Sequence, residues 1–202
     1  MHPGTVILGI WIAWAISWKV AAAWSNDTQS QPPLATELRY RILMGIGALV
    51  MFVPAHGYEG ALRLWHIGWW GAWVCVVLIA VGVAVAWWAR LHLGRLWSGR
   101  ITRKVDHRVV ESGPYAIVRH PIYSGLLLSL IATAAAKGTV LGFAGLLFTF
   151  VGMWMKSRLE ERWLATELGE AAYADYRRRV PMLLPFGPTD RRPTTLGAGT
   201  HQ

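Results

Sequence analysis

Between residues 107 and 185 two polar clusters flank about thirty mostly apolar residues, a length that folds into a pair of membrane spans. The first cluster reads His107-Arg108-Val109-Val110-Glu111-Ser112-Gly113-Pro114-Tyr115, followed by Arg119-His120-Pro121-Ile122-Tyr123-Ser124-Gly125. The second holds Lys156, Arg158, Glu160 and Glu161, with Tyr173 and Tyr176 further on. A helical hairpin would bring both clusters to one membrane face. Carboxylates beside hydrocarbon are costly, which makes Glu160 and Glu161 functional suspects. Pro121 suits the first position of a helix, whose first-turn N–H groups then offer an anion site beside His120. Gly125, four residues on and on the same face, would let a ligand approach the backbone. Each feature also has a plainer explanation: a basic membrane boundary for Arg119-His120-Pro121, an interfacial ring for Tyr123, and helical ion pairs for the glutamates. Their ordered occurrence together favours a site.

The remainder of the chain must position these groups in a membrane. Of 202 residues 54% are hydrophobic, 13 are tryptophan, and the mean hydropathy is positive, which excludes an ordinary soluble domain. The single cysteine, Cys75, lies in an apolar run and reads as packing, so no internal disulfide and no cysteine metal cluster can form. The formal charge of +9 is carried beside apolar segments, where it meets anionic headgroups and sets orientation; nucleic acid is not an expected partner. No metal site is expected.

Hydropathy predicts an all-α integral membrane protein with about five transmembrane helices, over residues 5–24, 40–54, 67–89, 121–136 and 139–155. The last has no breaker before Gly169 and is expected to continue to about Leu168, carrying Glu160 and Glu161 out of the bilayer. The first run has no basic residues before it and is expected to be a retained span. Gly45-Ile46-Gly47 reads as helix packing. Arg90, Arg95, Arg100, Arg103, Lys104 and Arg108 make residues 90–108 the most basic interspan loop, and eight of the 20 basic residues lie from Lys156 onward. Both segments are therefore expected in the cytoplasm, with the N-terminus outside. Residues 170–179 predict a short amphipathic segment with Tyr173 and Tyr176 on one face. The expected organisation is three N-terminal helices in residues 1–90, a catalytic region in 91–187, and a disordered tail in 188–202.

The ordered blocks from His107 to Glu160 resemble the isoprenylcysteine carboxyl methyltransferase family and, more loosely, the phospholipid N-methyltransferases, membrane enzymes that use S-adenosyl-L-methionine. The resemblance covers roughly the last two-fifths of the chain. It implies a cytoplasmic cofactor pocket built from the last two helices, the third interspan loop and the C-terminal segment. It implies cofactor contacts at His107, Arg108, Val109, Val110, Tyr115, His120, Pro121, Ile122 and Tyr123, with Gly125 beside them. Glu160 would hold the cofactor's ammonium end, and Arg100 matches a further polar contact, although headgroup binding explains it equally well. Glu161, about 100° around the helix from Glu160, would pair with a base or face water.

The family places an arginine for the substrate carboxylate where this chain has Lys156. Lysine offers a point charge and no bidentate clamp, so Lys156 either faces the acceptor or snorkels. Arg119 and Lys156 are the basic candidates at the reacting groups. The implied activity is methyl transfer to a lipophilic acceptor: a prenylcysteine carboxylate, a phospholipid headgroup, an isoprenoid acid or another small lipophile. Membrane lipids are the other expected partners, and nothing in the sequence fixes an oligomeric state. Two readings compete: a sterol-reductase-like NADPH oxidoreductase, which shares an Arg-His-Pro-x-Tyr block but usually has asparagine where Ile122 stands, and a non-catalytic lipid-binding scaffold.

Overall fold

The computed structural model describes residues 1–23, 28–30, 34–53, 62–97, 103–104 and 110–189. Its helices are α1 (Pro3–Ala22), α2 (Leu34–Phe52), α3 (Trp69–Leu93), α4 (Pro121–Lys137), α5 (Val140–Leu168) and α6 (Glu170–Arg179). Two minimal strands, β1 (Thr28–Ser30) and β2 (Arg103–Lys104), pair antiparallel and tie the α1–α2 connection to the α3–α4 connection. The all-helical expectation holds, and α5 does run on to Leu168. α2 begins six residues before the span expected from residue 40, and Glu37, ahead of that span, forms an ion pair with Arg41 one turn on. The expected tail falls almost wholly outside the described residues.

Three of the described helices are long and apolar enough to cross a membrane: Pro3–Ala22, Trp69–Leu93 and Val140–Thr166. α4 is apolar but shorter, and α2 carries charge in its first turns. Apolar side chains such as Leu8, Ile12, Ile16 and Val20 on α1, and Val74, Val77 and Val81 on α3, stay exposed. Such stripes suit a lipid environment, since a soluble protein rarely leaves continuous apolar faces uncovered. The molecule is a membrane protein.

Lipid tails supply no hydrophobic drive between helices, so close packing by small residues must hold the bundle together. α2 and α5 are antiparallel, and their glycines meet. A Cβ on Gly47 would lie 2.6 Å from the Thr149 amide nitrogen, and one on Gly145 would lie 2.6 Å from that of Met51. α3 meets α4 in the same way: a Cβ on Gly125 would sit 2.8 Å from the Ala86 amide and would clash with the Gly82 carbonyl. Ser129 Oγ donates to the Ile79 carbonyl at 3.0 Å beside that contact. α1 joins through Trp11 Nε1, which donates to Thr133 Oγ1 at 3.0 Å.

Two cations cap helix ends, where carbonyls lack partners. Arg90, fully buried, donates to the Ala21 carbonyl at the end of α1 and to Gly94, and lies 4.4 Å from the Trp97 ring centre. Lys137 Nζ donates to the Met51 and Val53 carbonyls at the end of α2. At the other end of the bundle from Lys137, the start of α2, the ends of α1, α3 and α5, and the start of α4 converge.

Gly47→Ala is expected to lower the thermal midpoint of the detergent-solubilised protein, because overpacking a close contact costs about 1–3 kcal/mol. Gly45→Ala on the same helix, where a Cβ meets nothing within 4 Å, should leave the midpoint unchanged or raise it.

Candidate functional site

The polar end is assembled around the junction of α4 and α5. Pro121 opens α4, as the sequence predicts, with His120 as its flanking residue. The His120 ring stacks on Tyr123, centres 5.5 Å apart and planes 16° from parallel. Tyr123 OH donates to Glu160 Oε2 at 3.1 Å across the helix pair. Lys156, one turn before Glu160, is buried with Nζ 5.4 Å from the Tyr123 ring centre. One tyrosine thus presents its hydroxyl to a carboxylate, one ring face to an imidazole, and its π system to an ammonium.

Glu161 does pair with bases. It is 2% exposed, and its Oε1 accepts from Arg119 Nε at 2.7 Å and lies 3.2 Å from His120 Nε2. Arg177 Nε stands 3.8 Å from the other oxygen. Arg119 is not poised at a reacting group: its guanidinium also donates to the Val180 carbonyl at 2.6 Å and the Arg177 carbonyl at 3.1 Å, so its donors bind the chain end. The amides of Arg119 and His120 donate to the carbonyls of Pro181 and Met182, and Ser124 Oγ donates to that of Leu183. Residues 180–183 therefore lie across the start of α4, bound to the two amides that precede it.

Tyr115 sits in a 3-10 turn (Gly113–Ala116) against the end of α3. Its ring stacks on His92, its hydroxyl reaches toward the Ala89 carbonyl at 3.5 Å, and its own carbonyl accepts from Tyr176 OH at 2.7 Å. Gly113 at φ 58° permits the turn and leaves room for the His92 ring, which a Cβ would meet at 2.6 Å. Burial, with Glu160 nearby, pushes the Tyr115 hydroxyl well above its usual pKa, and burial raises Tyr176 likewise; both remain neutral donors.

Of the residues singled out in the sequence, Tyr123, His120, Glu160 and Lys156 are brought together. Tyr115, Val110 and Ile122 form an adjoining apolar cluster with Ala86, Ala89 and Trp97. Pro121 is buried. Gly125 faces α3, so its missing side chain serves helix packing and not ligand approach. Arg100, His107, Arg108 and Val109 lie outside the described residues. Sequence reasoning missed His92 and the carbonyls of residues 180–183. It also missed the buried face of α2, although Glu37, Tyr40, Arg41 and Met44 stand at the three- and four-residue spacing of one helical face.

At one end of an antiparallel helical bundle the structure thus sets the Glu160 carboxylate beside the stacked rings of Tyr123 and His120. Residues 74–166, just under half of the chain, match the sequence profile of the Isoprenylcysteine carboxyl methyltransferase (ICMT) family. It is 33% identical over 127 residues to the cobalt-zinc-cadmium resistance protein CzcN of Cupriavidus metallidurans, covering 62% of this chain and 57% of that protein. It is 48% identical over 71 residues to methanethiol S-methyltransferase 2 of Bradyrhizobium diazoefficiens, covering 35% and 26%. It is 29% identical over 152 residues to protein-S-isoprenylcysteine O-methyltransferase B of Arabidopsis thaliana, covering 73% and 74%. The first two matches thus span less than two thirds of those relatives' lengths.

Glu161→Gln would leave Arg119 buried without its counter-charge, a loss of about 3–5 kcal/mol at a site of this kind. Trypsin should then cut the Arg177-Arg178-Arg179 run of the detergent-solubilised variant several-fold faster than in wild type. Equal cleavage rates would mean that the chain end is held elsewhere.

Proposed function

We propose that this chain is an integral membrane methyltransferase that uses S-adenosyl-L-methionine to methylate a lipophilic acceptor, the carboxylate of a prenylcysteine or similar isoprenoid compound. The observation that carries the reading is the junction of Tyr123, Glu160, His120 and Lys156, drawn from two helices to one spot. Relatives named protein-S-isoprenylcysteine O-methyltransferase support the acceptor class.

The residues present fit such a cofactor. A carboxylate can accept several hydrogen bonds, and Tyr123 occupies one position on Glu160, leaving capacity for an ammonium. The rings of Tyr123 and His120 offer the π faces that a sulfonium favours. Tyr115 and Val110, with Pro121 and Ile122, would wall the remainder, and Arg100, His107, Arg108 and Val109 are carried as further contacts from the basic segment. When bound, the cofactor supplies a methyl group already activated on a positive sulfur.

This chain's own part is to bind, orient and exclude water. Lys156 would hold the acceptor's carboxylate by charge. That carboxylate is ionised at neutral pH, so no general base is required. Alignment and desolvation would supply the acceleration, with residues 180–183 closing the site from the aqueous side. The basic loop and chain end favour a site on the cytoplasmic side and an N-terminus outside. The acceptor's apolar part would enter from the bilayer.

Calorimetric titration of the purified protein with S-adenosylhomocysteine tests the reading. Saturable binding is expected, weakened at least tenfold in Glu160→Gln, as follows from losing a charged hydrogen bond worth roughly 1.5–3 kcal/mol. NADPH should not bind. NADPH binding without S-adenosylhomocysteine binding would favour the reductase reading, and binding of neither by folded protein the scaffold. Because some relatives are named methanethiol S-methyltransferases, a thiol acceptor belongs beside the carboxylate in any activity screen.

A further inference from the structure

α2 lies outside the family match, yet it forms a wall of the site end. Its register against α5 is fixed by the glycine contacts: Met51 against Gly145, Gly47 against Thr149, and Met44 against Gly152. Each step of three or four residues back along α2 matches an equal step forward along α5. One further step of four sets Tyr40 opposite Lys156, and the next, of three, brings Glu37 to the level of Leu159, one residue short of Glu160. Consistently, a Cβ on Gly152, one turn before Lys156, would lie 3.0 Å from the Tyr40 carbonyl oxygen.

Glu37 and Tyr40 are both buried, at 2% and 3% exposure. Arg41, the neighbouring guanidinium, is engaged by Glu37. The Arg41 guanidinium stands beside the fully enclosed Tyr40 oxygen and can only donate to it, so the hydroxyl's own proton has no acceptor among the described residues. Burying an unsatisfied hydroxyl costs about 1–3 kcal/mol, and a phenylalanine would fill the same space without that cost. By the same register, and within electrostatic reach of Glu160 and Tyr123, Tyr40 borders the polar cluster already described.

We propose that the Tyr40 hydroxyl and the Lys156 ammonium together bind the acceptor's carboxylate, one donor from α2 and one from α5. The inference rests on the methyltransferase reading and narrows its substrate class. A lysine alone is a point charge and sets no orientation. A second donor from a different helix fixes the plane of a carboxylate, whose two oxygens can take one hydrogen bond each. A thiolate has a single acceptor atom and gains less from this pair. The long, flexible Lys156 stem, folded over Tyr123, is the movable part of this wall.

The test compares Tyr40→Phe with wild type in detergent, with S-adenosyl-L-methionine and N-acetyl-S-farnesylcysteine as the probe acceptor. Losing one hydrogen bond to a charged group should raise KM for the probe about tenfold, with kcat changed less than about twofold. S-adenosylhomocysteine affinity should stay the same. The thermal midpoint should hold or rise, because the substitution removes an unsatisfied buried hydroxyl; a falling midpoint would assign the hydroxyl to structure and overturn the proposal. An unchanged KM would overturn it, as would an equal loss of cofactor affinity. Wild-type protein that binds S-adenosylhomocysteine but leaves the probe unmethylated would overturn the carboxylate assignment alone. Wild-type protein that binds no S-adenosylhomocysteine would overturn the underlying methyltransferase reading together with this inference.

Discussion

The Glu161 carboxylate is the point through which α5, the start of α4 and the chain end are joined. Enclosing an anion costs several kcal/mol unless it is paired and hydrogen-bonded, and here Arg119, His120 and Arg177 surround it. Each partner leads elsewhere. Arg119 reaches the carbonyls of residues 177 and 180, His120 carries its ring onto Tyr123, and Arg177 belongs to α6. The orientation of Tyr123, and with it the Tyr123 to Glu160 bond, depends on that buried charge. Adjacent glutamates thereby divide the labour: one holds the protein to itself, and its neighbour, about 100° around the helix, accepts from Tyr123.

This electrostatic knot is useful only if the helices below it are rigid. In a bilayer they are held by backbone proximity, which explains the reciprocal glycine contacts of α2 with α5 and α3 with α4. The α2–α5 contact also brings a polar helix start from outside the matched residues 74–166 to the site end. Family likeness over residues 74–166 and the acceptor wall proposed on α2 are compatible for that reason.

The helices were legible because an apolar run near 20 residues has few alternatives in a membrane, and α5 could be followed past the bilayer because nothing breaks it before Gly169. Tyr123, His120, Glu160 and Lys156 were legible as a group through their order along the chain. Gly125 was misread because a glycine beside a polar cluster looks the same whether a ligand or a helix approaches it; only the position of Gly82 decides. Arg119 was misread because its partners are backbone carbonyls at residues 177 and 180, which carry no sequence signal. The role of α2 was hidden for a related reason: its register against α5 is a tertiary fact, and Glu37 lies ahead of the span expected over residues 40–54.

The most direct test of the central claim is transfer of label from methyl-tritiated S-adenosyl-L-methionine to N-acetyl-S-farnesylcysteine by membranes containing the wild-type protein or Glu160→Gln. The account predicts an organic-soluble product that releases volatile label in mild base, as a methyl ester does, and at most a small fraction of it in the variant. Base-stable product would contradict the carboxylate acceptor. No product from wild-type membranes, or equal product from both, would contradict the site built on Tyr123 and Glu160.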